Sequence, residues 1–203
     1  MSMNFLVRFI RGSVASNRAR IFMSKQSWEE FYKKGQTPWR SLSVDLSETL
    51  KKAGISSGAV LDLGCGTGEF SKWLSDRGFA VEGIDFSKEA IKTAKEICPS
   101  CNFTDWDLED LENYPFKHEK YDIILDSKVI AFIENKEKYL DLIRSKLKGV
   151  FILQTFLRHD EKPSIAVNEG ELELLLKDRF NIKDKQIKSF PNKVWVEYLL
   201  TVK

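Results

Sequence analysis

The chain has 203 residues, 42% of them hydrophobic, and 32 Lys and Arg against 30 Asp and Glu give a formal charge of +2. That length suits one domain with a sizeable core, and the near balance of charge does not advertise a nucleic-acid surface, which needs a clear basic excess. No apolar run approaches the roughly 18 residues that span a bilayer, so no membrane segment is expected.

The first segment stands apart. No acidic residue precedes Glu29, whereas Arg8, Arg11, Arg18, Arg20 and Lys25 are basic, and Phe5, Leu6, Phe9 and Ile10 recur among them at helical spacing. Residues 1–27 are read as a basic amphipathic extension. Such an Arg-rich, acid-free leader has the character of a mitochondrial targeting segment; a surface helix, or a natural start at Met23, is the alternative, with the protein then cytoplasmic.

From residue 59 onward the pattern alternates. Ala59–Leu63 reads as a strand, followed by a helix over 69–77 with Phe70, Trp73 and Leu74 on one face and Gly78 as its stop. Ala80–Ile84 is the second strand. Ser87 caps a helix carrying Ala90, Ile91, Ala94 and Ile97, which Pro99 ends. A short third strand lies near Cys101–Phe103 and a strongly apolar fourth over Tyr121–Leu125. Asn135 caps a helix with Tyr139, Leu140, Ile143 and Leu147, and Gly149–Phe156 is the fifth strand. Asn168 with Glu171 opens a last helix as a capping box. Strands apolar throughout are buried on both faces, and amphipathic helices between them imply right-handed crossovers and a parallel sheet. Phe180–Phe190 and Val194–Val202 flank so short a turn that they must pair antiparallel. The expected fold is an α/β, Rossmann-like seven-stranded sheet, mostly parallel with a C-terminal antiparallel hairpin, and helices on both faces.

The three cysteines, Cys65, Cys98 and Cys101, are too few for a secreted disulfide scaffold and fit a reducing compartment. Cys98-Pro99-Ser100-Cys101 has C-x-x-C spacing, but a structural zinc needs about four ligands, and the chain adds only His118 and His159. No metal site is expected, and the pair is read as two core-facing thiols near a helix end.

The most informative stretch is Asp62-Leu63-Gly64-Cys65-Gly66-Thr67-Gly68, where the first strand turns into a helix. Glycines there let the backbone turn sharply and approach a ligand at the switch point of an open sheet. The dinucleotide fingerprint is G-x-G-x-x-G; here the spacing is G-x-G-x-G, and Glu69 opens the helix. Asp62 and Glu69 are poorly placed for a pyrophosphate but suit a ligand bearing an ammonium and a sulfonium. The loop therefore favours S-adenosylmethionine (SAM), with a dinucleotide as the rival. Asp85 ends the second strand beside Phe86, where a carboxylate can accept both ribose hydroxyls of an adenosine; it can also serve as an N-terminal charge for the next helix. Asp107, with Asp105 as its substitute, can accept from an adenine amine, with Trp106 flanking the ring.

These residues in this order resemble the motifs of class I SAM-dependent methyltransferases, over about residues 28 to 203. Tyr121-Asp122-Ile123-Ile124-Leu125-Asp126 is similar to that family's fourth strand. Upstream, Trp28-Glu29-Glu30-Phe31-Tyr32 and Gln36-Thr37-Pro38-Trp39 resemble the N-terminal motif of thiopurine, thiol/halide and tellurite-type small-molecule methyltransferases. That resemblance implies a segment folded over SAM, with Trp28, Tyr32 and Trp39 in the pocket; packing on the core is the alternative. The cofactor-binding set it implies is Trp28, Tyr32, Trp39, Asp62, Gly64, Cys65, Gly66, Asp85, Phe86, Trp106, Asp107 and Asp126, the last being either a contact or a loop cap. Arg158 and His159, after the fifth strand, are candidates for the substrate. Asp126-Ser127-Lys128-Val129 is not an Asn-Pro-Pro-Tyr type motif and no Pro-Cys nucleophile follows, so methylation of a base is not indicated. The expected activity is methyl transfer to a small molecule such as a thiol or metalloid. A protein or RNA acceptor, or an inactive SAM-binding partner subunit, remains open, and a monomer is compatible with the sequence.

Overall fold

The structure is a computed structural model that describes residues 24–36, 45–158, 166–190 and 193–203. The basic leader before Ser24, Trp39 and His159 lie outside the described residues, and of Arg158 only the backbone is described. The described chain begins with helix α1 (Lys25–Lys33) and helix α2 (Ser47–Ala53). Strand β1 (Ala59–Leu63), helix α3 (Glu69–Ser75), β2 (Ala80–Asp85), α4 (Lys88–Ile97) and β3 (Asn102–Asp105) follow. After a 3-10 turn over Leu108–Asn113 come β4 (Tyr121–Ser127), α5 (Lys136–Lys146), β5 (Leu147–Arg158) and β6 (Val167–Asn168). Helix α6 (Glu169–Arg179), β7 (Phe180–Phe190) and β8 (Lys193–Val202) complete it.

The sheet runs β3-β2-β1-β4-β5-β8-β7. Its first five strands are parallel and β8 pairs antiparallel with both β5 and β7. The expected architecture is therefore present, with one addition: β6 pairs with the end of β5 as an eighth strand. At two residues it is too short to show a period. The local signals work as chemistry predicts. Ser87 accepts from Ala90 N–H at 3.1 Å, Asn135 from Lys138 N–H at 3.0 Å and Asn168 from Glu171 N–H at 3.0 Å, each satisfying a donor the helix start leaves free.

Both faces of the sheet are covered, which explains why the strands are apolar throughout. On one face Leu61, Leu63, Ile124, Phe151 and Leu153 pack with Tyr139, Leu140 and Ile143 of α5 and Leu172 and Leu176 of α6. On the other, Val60, Ile123, Leu125, Val150 and Ile152 pack with Leu50 of α2, Leu74 of α3 and Ile91 of α4. Among the described residues no helix is long and apolar enough to cross a membrane.

One expectation is corrected. Cys98 and Cys101 are joined in a disulfide, so they are core-facing but not thiols. Cys98 leaves the helical conformation at the end of α4, and a turn in which Cys101 N–H donates to Cys98 C=O brings the two Cα atoms to 5.4 Å, within bonding range. The cysteine count accordingly carries no argument for a reducing compartment.

Candidate functional site

The strand order reverses between β1, with β2 and β3 on one side, and β4 on the other. That reversal opens a crevice beyond the carboxyl ends of the strands, where ligands bind in open α/β sheets. The glycine turn sits at its centre. Gly64 and Gly66 have φ of 66° and 53°, a region costly to residues with a Cβ. A methyl group on Gly64 would stand 2.1 Å from Val129 Cγ2, so the loop after β4 packs directly on the turn. On Gly66 it would stand 3.1 Å from Tyr32 Oη, so the phenol of α1 lies across the turn from outside.

Three carboxyl groups surround the turn. Asp62 is buried beneath it and accepts from Ser71 Oγ at 2.6 Å. Glu69 accepts from Thr67 Oγ1 at 2.8 Å. Asp85 Oδ2 accepts from Gly66 N–H at 3.0 Å and Oδ1 from Ser87 N–H at 2.9 Å, so it braces the turn and the start of α4 together. The helix-start role and a ligand role can coexist, because an ionised carboxylate has about four lone-pair positions and these bonds occupy two. Cys65 N–H donates to Ile84 C=O at 2.9 Å, and burial pushes its thiol well up, so it stays protonated and inert. Phe86 follows Asp85, half-buried.

The adenine-side candidates are arranged around the next loop. Trp106 N–H donates to Asp85 C=O at 2.9 Å, its indole Nε1 donates to Asp110 C=O at 3.0 Å, and its ring meets Tyr114 edge-on at 5.7 Å. Asp107 Oδ1 caps the 3-10 turn through Glu109 N–H, while Oδ2 pairs with Lys25 of α1. That ion pair, which nothing in the local sequence signals, ties α1 to the loop after β3. On the other side Trp28 is buried, stacks on Tyr32 with centroids 6.0 Å apart and meets Phe132 edge-on at 5.9 Å. Helix α1 thus bridges the loops after β3 and β4 across the glycine turn. Burial first, then the nearby Asp85, Cys65 and Glu69, pushes the Tyr32 phenol far up, so it remains neutral.

Asp126 goes elsewhere. It is fully buried on the face of α5, where Oδ1 accepts from Val129 N–H at 2.8 Å and Ile130 N–H at 3.3 Å and Oδ2 accepts from Tyr139 Oη at 3.0 Å. The geometry is that of a loop cap. Ser127, one residue on, points to the opposite face by the alternation of a strand.

Burial is the main cause that pushes Asp62 and Asp126 up to about 7 and Asp85 up to about 6, against hydrogen bonds that hold them down. Unfolded, such carboxyls titrate near about 3.9. In between, the folded state holds more protons, so stability is greatest at the acidic end and is lost as pH rises through the folded values. The thermal midpoint of the cofactor-free protein is therefore expected to fall from about pH 4.5 toward neutrality. Glu173, held low near 2 by Lys177 and Lys185, titrates below that window. Asp126→Asn, which keeps an acceptor for Val129 and Ile130, should flatten the fall in calorimetric scans; a wild-type midpoint that does not move with pH would show that these groups ionise normally.

Set against known proteins, residues 56–192 match the family model described as a methyltransferase domain. The chain is 32% identical over 101 residues to malonyl-[acyl-carrier protein] O-methyltransferase 2 of Ilyobacter polytropus, covering 48% of this chain and 39% of that protein. It is 34% identical over 110 residues to the ubiquinone biosynthesis O-methyltransferase of Rickettsia bellii, covering 51% and 44%. The chain thus spans less than half the length of either relative. In fold it is similar to a TehB-like SAM-dependent methyltransferase from Corynebacterium glutamicum, with a TM-score of 0.62, 20% identity and coverage of 88% and 95%.

Proposed function

Because the chain belongs to the methyltransferase-domain family, whose cofactor is SAM, we propose that it transfers the methyl group of SAM in line to a small-molecule nucleophile: a thiol, a metalloid or a hydroxyl. The observation that carries this reading is α1 lying across the glycine turn, with Tyr32 against Gly66 and Trp28 against Phe132. A broad acceptor such as a folded protein or RNA would be served by an open face; an aromatic cover over the turn suits a small one. The names of the two relatives, both O-methyltransferases, support including an oxygen nucleophile among the acceptors.

The residues present fit the cofactor. Gly64 and Gly66 hold left-handed φ values that let the backbone turn sharply at the mouth of the crevice, and the carboxyl groups of Asp62, Glu69 and Asp85 favour a cationic ligand over a pyrophosphate. In this reading Gly64, Cys65 and Gly66 receive the methionine end, supported by Asp62 from below. Asp85 and Phe86 take the ribose, and Trp106 and Asp107 the adenine. Trp28 and Tyr32 wall the pocket, as would Trp39. Asp126 contributes by holding the β4 loop in shape. Arg158, the last residue of β5, and His159, which follows it in sequence, are the acceptor-side candidates.

SAM, when bound, supplies an electrophilic methyl group on a sulfonium. The chain's own part is to exclude water, to favour the positive methyl with ring faces and to align the acceptor. Tyr32, kept neutral, adds no competing charge beside the turn.

Two measurements test the reading. Asp85→Ala should weaken SAM and S-adenosylhomocysteine alike by at least about tenfold, since hydrogen bonds to a charged group contribute about 1.5–3 kcal/mol each and the ribose is common to both. Calorimetry showing a loss for SAM alone would contradict the ribose role. Methyl-labelled SAM offered with thiols, phenols, chalcogen anions and peptides should label at least one class of small molecule; labelling of peptides only would replace the small-molecule reading.

A further inference from the structure

A chain of hydrogen bonds lies beside the crevice on the face away from Asp126. Ser127, the last residue of β4, donates from Oγ to Gln154 Oε1 at 3.1 Å. Gln154 Nε2 donates to Glu197 Oε2 at 2.6 Å, and Thr49 Oγ1 of α2 donates to Glu197 Oε1 at 2.5 Å. Thr49, Gln154 and Glu197 are buried, whereas Ser127 is half-buried at the crevice end of the chain. The register places Ser127 one step beyond Asp126, the partner of Leu63, hence level with the glycine turn. The strand end is held there by Lys128, whose N–H donates to Gln154 C=O at 2.7 Å and whose φ of 75° is a strained conformation for a side-chain-bearing residue.

The direction of every bond in this chain is determined. A carboxylate only accepts, so both donors must face Glu197. The Gln154 amide must therefore turn its NH₂ toward Glu197 and its oxygen toward Ser127. A carboxamide oxygen only accepts as well, so the Ser127 hydroxyl spends its single proton on Gln154. What Ser127 offers to the crevice is lone pairs alone.

We propose that Ser127, oriented by Gln154 and Glu197, reads the methyl acceptor as a hydrogen-bond donor, so that the acceptor group is protic, a hydroxyl, amine or neutral thiol, and not an anion. The proposal rests on the methyltransferase reading above and narrows its acceptor class. A protic group places its hydrogen on Ser127 and its free lone pair elsewhere, toward the methyl; as the new bond to the methyl forms and the bond from methyl to sulfur breaks, the proton of the acceptor leaves by way of the half-buried Ser127 to solvent water. An anion would meet the serine lone pairs and the buried carboxylate behind them, with no proton between. Glu197 thus acts as a positioning residue, three hydrogen bonds away from the acceptor it selects.

Phenol and benzenethiolate are suitable probes, similar in shape but opposite in this property at mildly alkaline pH, where the first keeps its proton and the second has lost it. Calorimetry on the full chain saturated with S-adenosylhomocysteine should show phenol bound at least about tenfold more tightly, the ratio that about 1.4 kcal/mol produces. Glu197→Gln lets the Gln154 amide reverse and frees the Ser127 proton, so the ratio should collapse to one or invert. Ser127→Ala, a change at a half-buried strand end, should lower phenol affinity to that of benzenethiolate while S-adenosylhomocysteine binds as before. It serves as the test even where Glu197→Gln does not fold. Equal or tighter binding of benzenethiolate by the wild type, a ratio unchanged by Ser127→Ala, or no binding of either probe to the S-adenosylhomocysteine complex overturns the proposal alone. Failure of the wild type to bind S-adenosylhomocysteine overturns the methyltransferase reading and this one with it.

Discussion

Gly66→Val is expected to abolish SAM binding while the protein stays folded. Gly66 has φ of 53°, and its N–H is engaged by Asp85. A residue with a Cβ in this left-handed region costs about 1–2 kcal/mol, and a β-branched one is worse placed still. That is a fraction of the roughly 5–15 kcal/mol that holds a domain together, so the fold survives. The first atom of the new side chain would stand 3.1 Å from Tyr32 Oη, between α1 and the turn, on the side that the proposed reading gives to the methionine end of SAM. Gly66→Ala, carrying that atom without the branch, should fall between wild type and valine. Titration calorimetry with SAM and a melting curve by circular dichroism read both halves of the expectation. Unchanged affinity in a folded Gly66→Val protein would remove the turn from the site.

The second large effect concerns α1. Deleting the chain before Ser24 should leave turnover near wild type, whereas deleting through Gln36 should reduce it on the order of a hundredfold or more, the loss that slight misplacement of reacting groups causes. SAM binding should suffer less, because the glycine turn, Asp62 and Asp85 remain. What the longer deletion removes is Trp28 from Phe132, Tyr32 from Gly66 and Lys25 from Asp107. The ion pair is exposed and contributes little by itself; in the proposed reading the aromatic cover is what excludes water and aligns the acceptor. Labelled-methyl turnover against a thiol or phenol, beside calorimetry on the same proteins, separates the two effects. Full-rate methylation by the longer deletion would refute α1 as the cover and would favour an open-faced reading with a macromolecular acceptor.

Much of this architecture could be read along the chain because its signals are local. Helix starts at Ser87, Asn135 and Asn168 rest on a side chain bonding an N–H three residues away. The glycine turn is legible because only glycine adopts its φ values cheaply, and Asp85 because its distance from the turn is a strand-helix-strand repeat. The parallel sheet with its closing hairpin follows from period, burial and turn length. What lay beyond reach depends on which distant segments meet. Whether Asp126 faces a ligand or the α5 core is decided by strand alternation against Tyr139, and the acid itself looks the same in either case. The disulfide needs the turn after α4 to bring two Cα atoms to 5.4 Å. The bridge of α1 from Asp107 to Phe132 joins loops that follow different strands. The Thr49–Glu197–Gln154–Ser127 chain joins a helix and three strands, with Glu197 and Thr49 148 residues apart. Hydrogen-bond direction exists only once such partners are face to face. Sequence therefore carried the proposed cofactor side of the site, built from one continuous turn and one strand end, while the proposed acceptor side rests on tertiary contact.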